Sequence, residues 1–177
     1  MRRLERAGLV ATGVATVSGL VLVGACSNQI AGTADADPSE VAAYVSEVAA
    51  SSAAASSSRA AAVERAAATA CDTFSDNNET AIDTFNIYID ASNDNAPDQE
   101  PKANAAVTQL RATASAVESK ITRDVPASVA DPLRAYRDDT MSLADALERR
   151  VDTDTLNAAI DKFNATKDTA VAACLAY

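Results

Sequence analysis

The chain has 177 residues, with 15 basic and 25 acidic side chains, a formal net charge of −10, and neither histidine nor tryptophan. So acidic a surface lacks the basic stripe that phosphates require, and no nucleic-acid partner is expected. The lack of histidine removes the commonest general base, the Ser-His-Asp arrangement and most zinc sites, which leaves the expectation of a non-enzymatic protein without cofactor or metal.

At the N-terminus Arg2, Arg3 and Arg6 precede an uncharged stretch from Ala7 to Ala25. This is the charged n-region and apolar h-region of a secretory signal peptide, here residues 1–25. The stretch closes on Leu22, Val23, Gly24, Ala25 and Cys26, with two small residues directly before a cysteine. That ending resembles the lipobox of bacterial lipoproteins. The resemblance implies cleavage between Ala25 and Cys26, a diacylglyceryl group on the Cys26 thiol, and a new amine open to further acylation of the palmitate type. Gly24 and Ala25 fit because bulky side chains there would keep the chain out of a protease pocket. Two acyl chains, at roughly 0.8 kcal/mol per buried methylene, hold a domain stably on a membrane. The expected location is therefore the extracytoplasmic face of the cell membrane. An uncleaved transmembrane helix is the alternative, since the apolar stretch is just long enough to cross a hydrocarbon core.

Without residues 1–25 the chain keeps 12 basic and 24 acidic side chains, a net charge of about −12, and repulsion from an anionic bilayer should hold it off the surface except at its anchor. Residues 26–37 are small and polar and read as a flexible tether. Asp37, Pro38 and Glu40 mark a helix start, with Asp37 as N-cap and Glu40 placed to return a hydrogen bond. Residues 38–58 form an Ala/Ser-rich segment with a short apolar stripe, Val41, Tyr44, Val45 and Val48, outside the main periodic core. That stripe is the candidate face for an envelope protein partner. The run from Ala49 to Ser58 either extends the helix as a stalk or remains a mobile spacer.

Residues 59–177 carry the periodicity of a bundle domain. Val63, Ala67, Ala70, Cys71 and Phe74 share one face, and Ile82, Phe85 and Ile89 follow after a polar interval around Asp76 and Glu79 that either breaks the helix or leaves it continuous. Ser92 to Glu100, bounded by Pro97 and Pro101, is the clearest loop. Val107, Leu110, Ala114, Val117 and Ile121 then lie on one helix face, which Val125 and Pro126 should end. The same spacing returns in Val129, Leu133, Tyr136, Thr140, Leu143 and Leu147, and again in Leu156, Ile160, Phe163, Lys167, Ala170 and Cys174. The expected fold is all-α, an up-and-down antiparallel bundle of about four helices. With Cys26 taken by lipid, Cys71 and Cys174 are an even pair in an oxidising compartment, so a Cys71–Cys174 disulfide is expected. Free or reactive thiols are the alternative, although no C-x-x-C motif supports them. The whole pattern resembles the small Ala-rich helical lipoproteins of high-GC Gram-positive bacteria, a likeness of style over most of the chain that implies no activity.

Few constellations suggest chemistry. Asp90, Ser92, Asp94, Asp98 and Glu100 alternate as calcium ligands do, but Asn95 stands where the turn needs glycine and Pro101 where a bidentate glutamate belongs, so a solvated turn is the better reading. Arg134, Arg137, Arg149 and Arg150 form the densest basic group, with Asp131, Asp138, Asp145 and Glu148 close enough for ordinary surface ion pairs. Lys167, on an apolar face, either marks a polar pocket or carries its charge to water along its stem. Three functions compete: a lipid-tethered interaction or accessory module of the envelope, a carrier of a small apolar or lipidic ligand between helices, and, last, a carboxylate-based hydrolase for which no pair such as Asp138 and Asp139 rises above background.

Overall fold

The computed structural model describes residues 37–177. The expected signal peptide, the expected cleavage point between Ala25 and Cys26, and the expected tether through residue 36 lie outside the described residues. The chain forms α1 (Pro38–Asn93), α2 (Gln99–Lys120), α3 (Ala127–Glu148) and α4 (Thr153–Leu175), with no strand among the described residues. Consecutive helices pack side by side, α1 on α2, α2 on α3 and α3 on α4, while α1 meets α4 at only a few places. This is the expected up-and-down bundle.

The helix lengths are unequal, and that sets the shape. At 1.5 Å per residue the 56 residues of α1 span about 84 Å, against roughly 33 Å for each of the other helices. Asp37 opens α1, its carboxylate accepting from the Ser39 amide at 2.8 Å and the Ser39 hydroxyl at 2.6 Å, so Ser39 rather than Glu40 completes the cap. Residues 38–60 are exposed on every side. The Ala49 to Ser58 run is helical, a stalk and not a spacer. Alanine is the best helix former, Ser51 and Ser57 turn their hydroxyls back onto the carbonyls of Val48 and Ala54, and the bundle-bound half of α1 already supplies the nucleus from which the helix propagates.

α1 also runs unbroken through Asp76. Asn77 and Asn78 are partly buried, and both find partners inside the bundle. The Thr113 hydroxyl of α2 donates to the Asn77 carbonyl at 3.1 Å, and the Tyr136 hydroxyl of α3 donates to Asn78 Oδ1 at 3.1 Å. A polar interval satisfied in this way gives the helix no reason to stop. Elsewhere the core follows the expected faces: Leu110, Val117, Val129, Leu133, Leu143 and Leu147 are buried, and Tyr136 lies between Phe74 at 4.8 Å and Phe163 at 5.6 Å, ring centre to ring centre.

Two helix ends dispense with glycine. At the end of α1 Asn95 takes φ 49°, with its amide on the Ser92 carbonyl and the Ala96 amide on that of Ala91; at the end of α3 Arg150 takes φ 51° with the equivalent pair to Leu147 and Ala146. Both are Schellman caps. The loop before α2 is shorter than expected, because Gln99 and Glu100 already belong to α2 and Pro101 occupies its first turn, where no intrahelical acceptor awaits an amide. α2 in turn ends at Lys120, five residues before Val125 and Pro126. Ile121 leaves helical geometry with ψ 75°, and a turn returns the Val125 side chain to the core before Pro126 forces its predecessor extended.

Candidate functional site

The seam between α1 and α4 is where the bundle is least closed. Of α4, only Phe163 and Ala170 are fully buried; Leu156, Ile160, Lys167 and Cys174, on the same face, are only partly covered. One end of the seam is clasped by a disulfide between Cys71 and Cys174, with Cα atoms 5.6 Å apart and 103 residues of chain between them. The expected pairing is therefore present, and it joins two helices that otherwise touch at only a few places.

Further along the seam lies a cavity of about 130 Å³. Leu110 and Leu143 form its floor, and Ala81, Ile82 and Phe85 from α1 face Ile160 and Phe163 from α4 across it. The outer end is polar: Asn86 and Asn164 are exposed, and the Lys167 ammonium donates to Asn164 Oδ1 at 3.2 Å and pairs with Asp168 at 3.5 Å. Lys167 combines the two expectations for it, since its stem lines an apolar cavity while its side chain keeps 22% of its exposure. A wider, solvent-open hollow of about 570 Å³ lies beside the disulfide, with Glu64, Asp72 and Tyr177 on its wall.

Several charged groups outside the cavity serve the scaffold. Arg111 of α2 reaches Asp145 at 2.9 Å and Glu148 at 2.7 Å on α3, which raises the guanidinium and holds the Glu148 carboxyl below its ordinary range. Arg134 pairs with Asp131, Arg137 with Glu118 and Asp138, and Arg150 with Glu100 across to α2. The arginine group is thus occupied by ion pairs, with Arg149 exposed beside it. In the α1–α2 loop Asp98 pairs with Lys102, and among the described residues no cluster of three or more His, Cys, Asp or Glu is placed to hold a metal ion. Among those same residues, every buried side-chain nitrogen and oxygen has a hydrogen-bond partner.

The proposed interaction face sits far from the cavity, on the free part of α1. Val41, Tyr44, Val45 and Val48 are 47, 69, 59 and 44% exposed. No helix among the described residues is long and apolar enough to cross a membrane. Sequence reasoning missed the inward roles of Asn77 and Asn78 and the contribution of Ala81 and Asn86 to the cavity. The signal was present: Phe74, Asn78, Ala81 and Phe85 alternate spacings of four and three through the polar interval, with Asn77 and Ile82 beside them on the same face.

Fold and seam together define a four-helix bundle with a long first helix and a disulfide clasp between first and last. The chain belongs to the Rv2240c four-helix bundle domain family, a mycobacterial and hence high-GC Gram-positive family, whose model matches residues 53–175. The match begins within the free part of α1 and ends with the last residue of α4. No curated protein and no solved structure is significantly similar to the chain.

Proposed function

We propose that the protein is an extracytoplasmic lipoprotein, held to the cell membrane through a lipid on Cys26, that works by binding rather than by chemistry. The observation that carries this reading is α1. Its first turn begins at Pro38, a short tether away from the lipobox-like cysteine, and residues 38–60 project about 35 Å as an unpartnered helix before the bundle begins. A long helix between the anchor and the bundle holds a strongly acidic domain clear of an anionic surface that repels it. The stripe Val41, Tyr44, Val45 and Val48 lies on the anchor-proximal part of that stalk, where a partner protein of the envelope gains contact area by covering it.

Intact mass spectrometry of the protein extracted from membranes, before and after reduction and alkylation, tests the anchor. A mass beginning at Cys26 with added acyl chains is the expected result. A chain retaining residues 1–25 without lipid overturns it and returns the apolar stretch to the transmembrane reading. A second reading, a carrier for a small apolar ligand, is favoured by the cavity at the α1–α4 seam.

A further inference from the structure

The cavity is small, enclosed on its apolar sides and electrostatically unlike the rest of the molecule. A volume of about 130 Å³ is of the size that takes one benzene-like ring, and an apolar lining of that kind does not hold ordered water well. The chain has 25 acidic side chains, yet among the described residues none lines this cavity, and its one charged lining residue there is Lys167. The ammonium's present partners are weak ones. Asp168 is 75% exposed and 3.5 Å away, and Asn164 is neutral. An anion arriving at the mouth competes with a solvent-screened pair rather than with a buried one.

We propose that the α1–α4 cavity binds a small monoanionic amphiphile, one ring or a short branched chain seated on Leu110 and Leu143 with its carboxylate at the Lys167 ammonium. Apolar contact supplies the binding and the cation supplies the selectivity, as in other concave sites where a few polar groups orient a ligand held by hydrocarbon. Asn86 and Asn164 at the mouth add amide donors to the same head group. The disulfide fixes the seam at its other end, so the opening between α1 and α4 is held at a set width. This inference rests on the carrier reading and adds the sign of the ligand's charge.

The test is equilibrium dialysis of the full chain reconstituted in lipid nanodiscs, with empty discs as the reference and 3-phenylpropanoate and 3-phenylpropan-1-ol as probes. Saturable one-to-one uptake is expected, with the carboxylate about two- to fivefold tighter than the alcohol. Lys167→Met should bring the carboxylate to the alcohol's level and leave the alcohol unchanged, whereas a merely structural role for Lys167 would move both. Ile82→Trp, which fills the mouth, should weaken both at least tenfold; the melting temperature and intact disulfide of each variant certify the bundle. Equal uptake of the two probes overturns the inference and leaves the carrier reading standing. Uptake of neither above empty discs overturns both, and a carboxylate preference that survives Lys167→Met overturns the assignment to that residue.

Discussion

The two halves of α1 are one continuous helix in two different environments. From Ala61 onward its inward face is covered by the bundle, and its polar residues Asn77 and Asn78 are drawn inside by Thr113 and Tyr136. From Pro38 to Ala60 every residue is exposed, and the helix stands on propagation from the bundle-bound half, alanine propensity, serine back-bonds and the Asp37 cap. The same secondary structure is thus held by tertiary packing in one half and by local propensity in the other, and perturbations should respect that boundary.

The largest effect should come from the clasp. Replacing Cys71 and Cys174 by serine releases a loop closed over 103 residues, for which chain entropy predicts a loss of roughly 4 to 5 kcal/mol at most. Denaturant unfolding should show that loss as a lower midpoint. The effect sharpens the comparison because α1 and α4 have few other contacts, so the open seam should also exchange amide hydrogens faster while the stalk is unchanged. Next is Leu143→Ala, which removes a side chain 1% exposed at the cavity floor. About 3 kcal/mol should be lost, and Val45→Ala on the stalk should cost less than about 0.5 kcal/mol despite deleting a similar amount of hydrocarbon. Equal losses at the two sites would break the distinction between the halves.

Titration separates interior from surface in the same way. Burial pushes the Tyr136 phenol up to about 12, so the folded state keeps it neutral where the unfolded state ionises. A raised folded value means that the contribution is complete below pH 10 and lost as pH climbs from about 10 to 12, on the order of 2 kcal/mol. Tyr136→Phe should remove that alkaline limb from the stability profile. On the acid side the signs reverse. The cap carboxylates of Asp37 and Asp152 are held low by hydrogen bonds from Ser39 and Thr155, and Glu100 and Glu148 by Arg150 and Arg111. Their contribution is present above the ordinary carboxylate range and disappears as pH falls through the lowered values, first as fraying of the ends of α1 and α4.

Most of the bundle was legible because its helices repeat apolar residues at spacings of three and four. All six positions read on α3, from Val129 to Leu147, are buried. The disulfide was legible from cysteine number and the expected oxidising compartment. Less legible was anything decided by long-range pairing. Asp76, Asn77, Asn78 and Glu79 look like a break until Tyr136, 58 residues from Asn78, supplies the partner that lets an asparagine stay inside. The Schellman ends at Asn95 and Arg150 were hidden because the usual marker is glycine, which residues 37–177 lack. The cavity was hidden for a related reason: Lys167, Phe163 and Ile160 announced an inward face on α4, but only the sparse contact between α1 and α4 leaves space opposite it.

The smallest expected effect on bundle stability is the sharpest test of the division within α1. Proline at position 54 removes the amide hydrogen bond to the carbonyl of the preceding turn and clashes with that carbonyl, at about 3 kcal/mol where a helix must stay intact. Ala54 lies on the free stalk, with no tertiary contact to defend the helix on its N-terminal side. Ala54→Pro should therefore abolish helical ellipticity from much of residues 38–53 while leaving the bundle's denaturation midpoint within about 0.5 kcal/mol of the parent. The corresponding change at Ala81, which is fully buried at the cavity wall, should prevent folding. If Ala54→Pro instead destabilises the bundle by an amount near 3 kcal/mol, then the stalk is energetically coupled to the bundle, and residues 38–60 are part of one cooperative unit rather than a stalk borne by it.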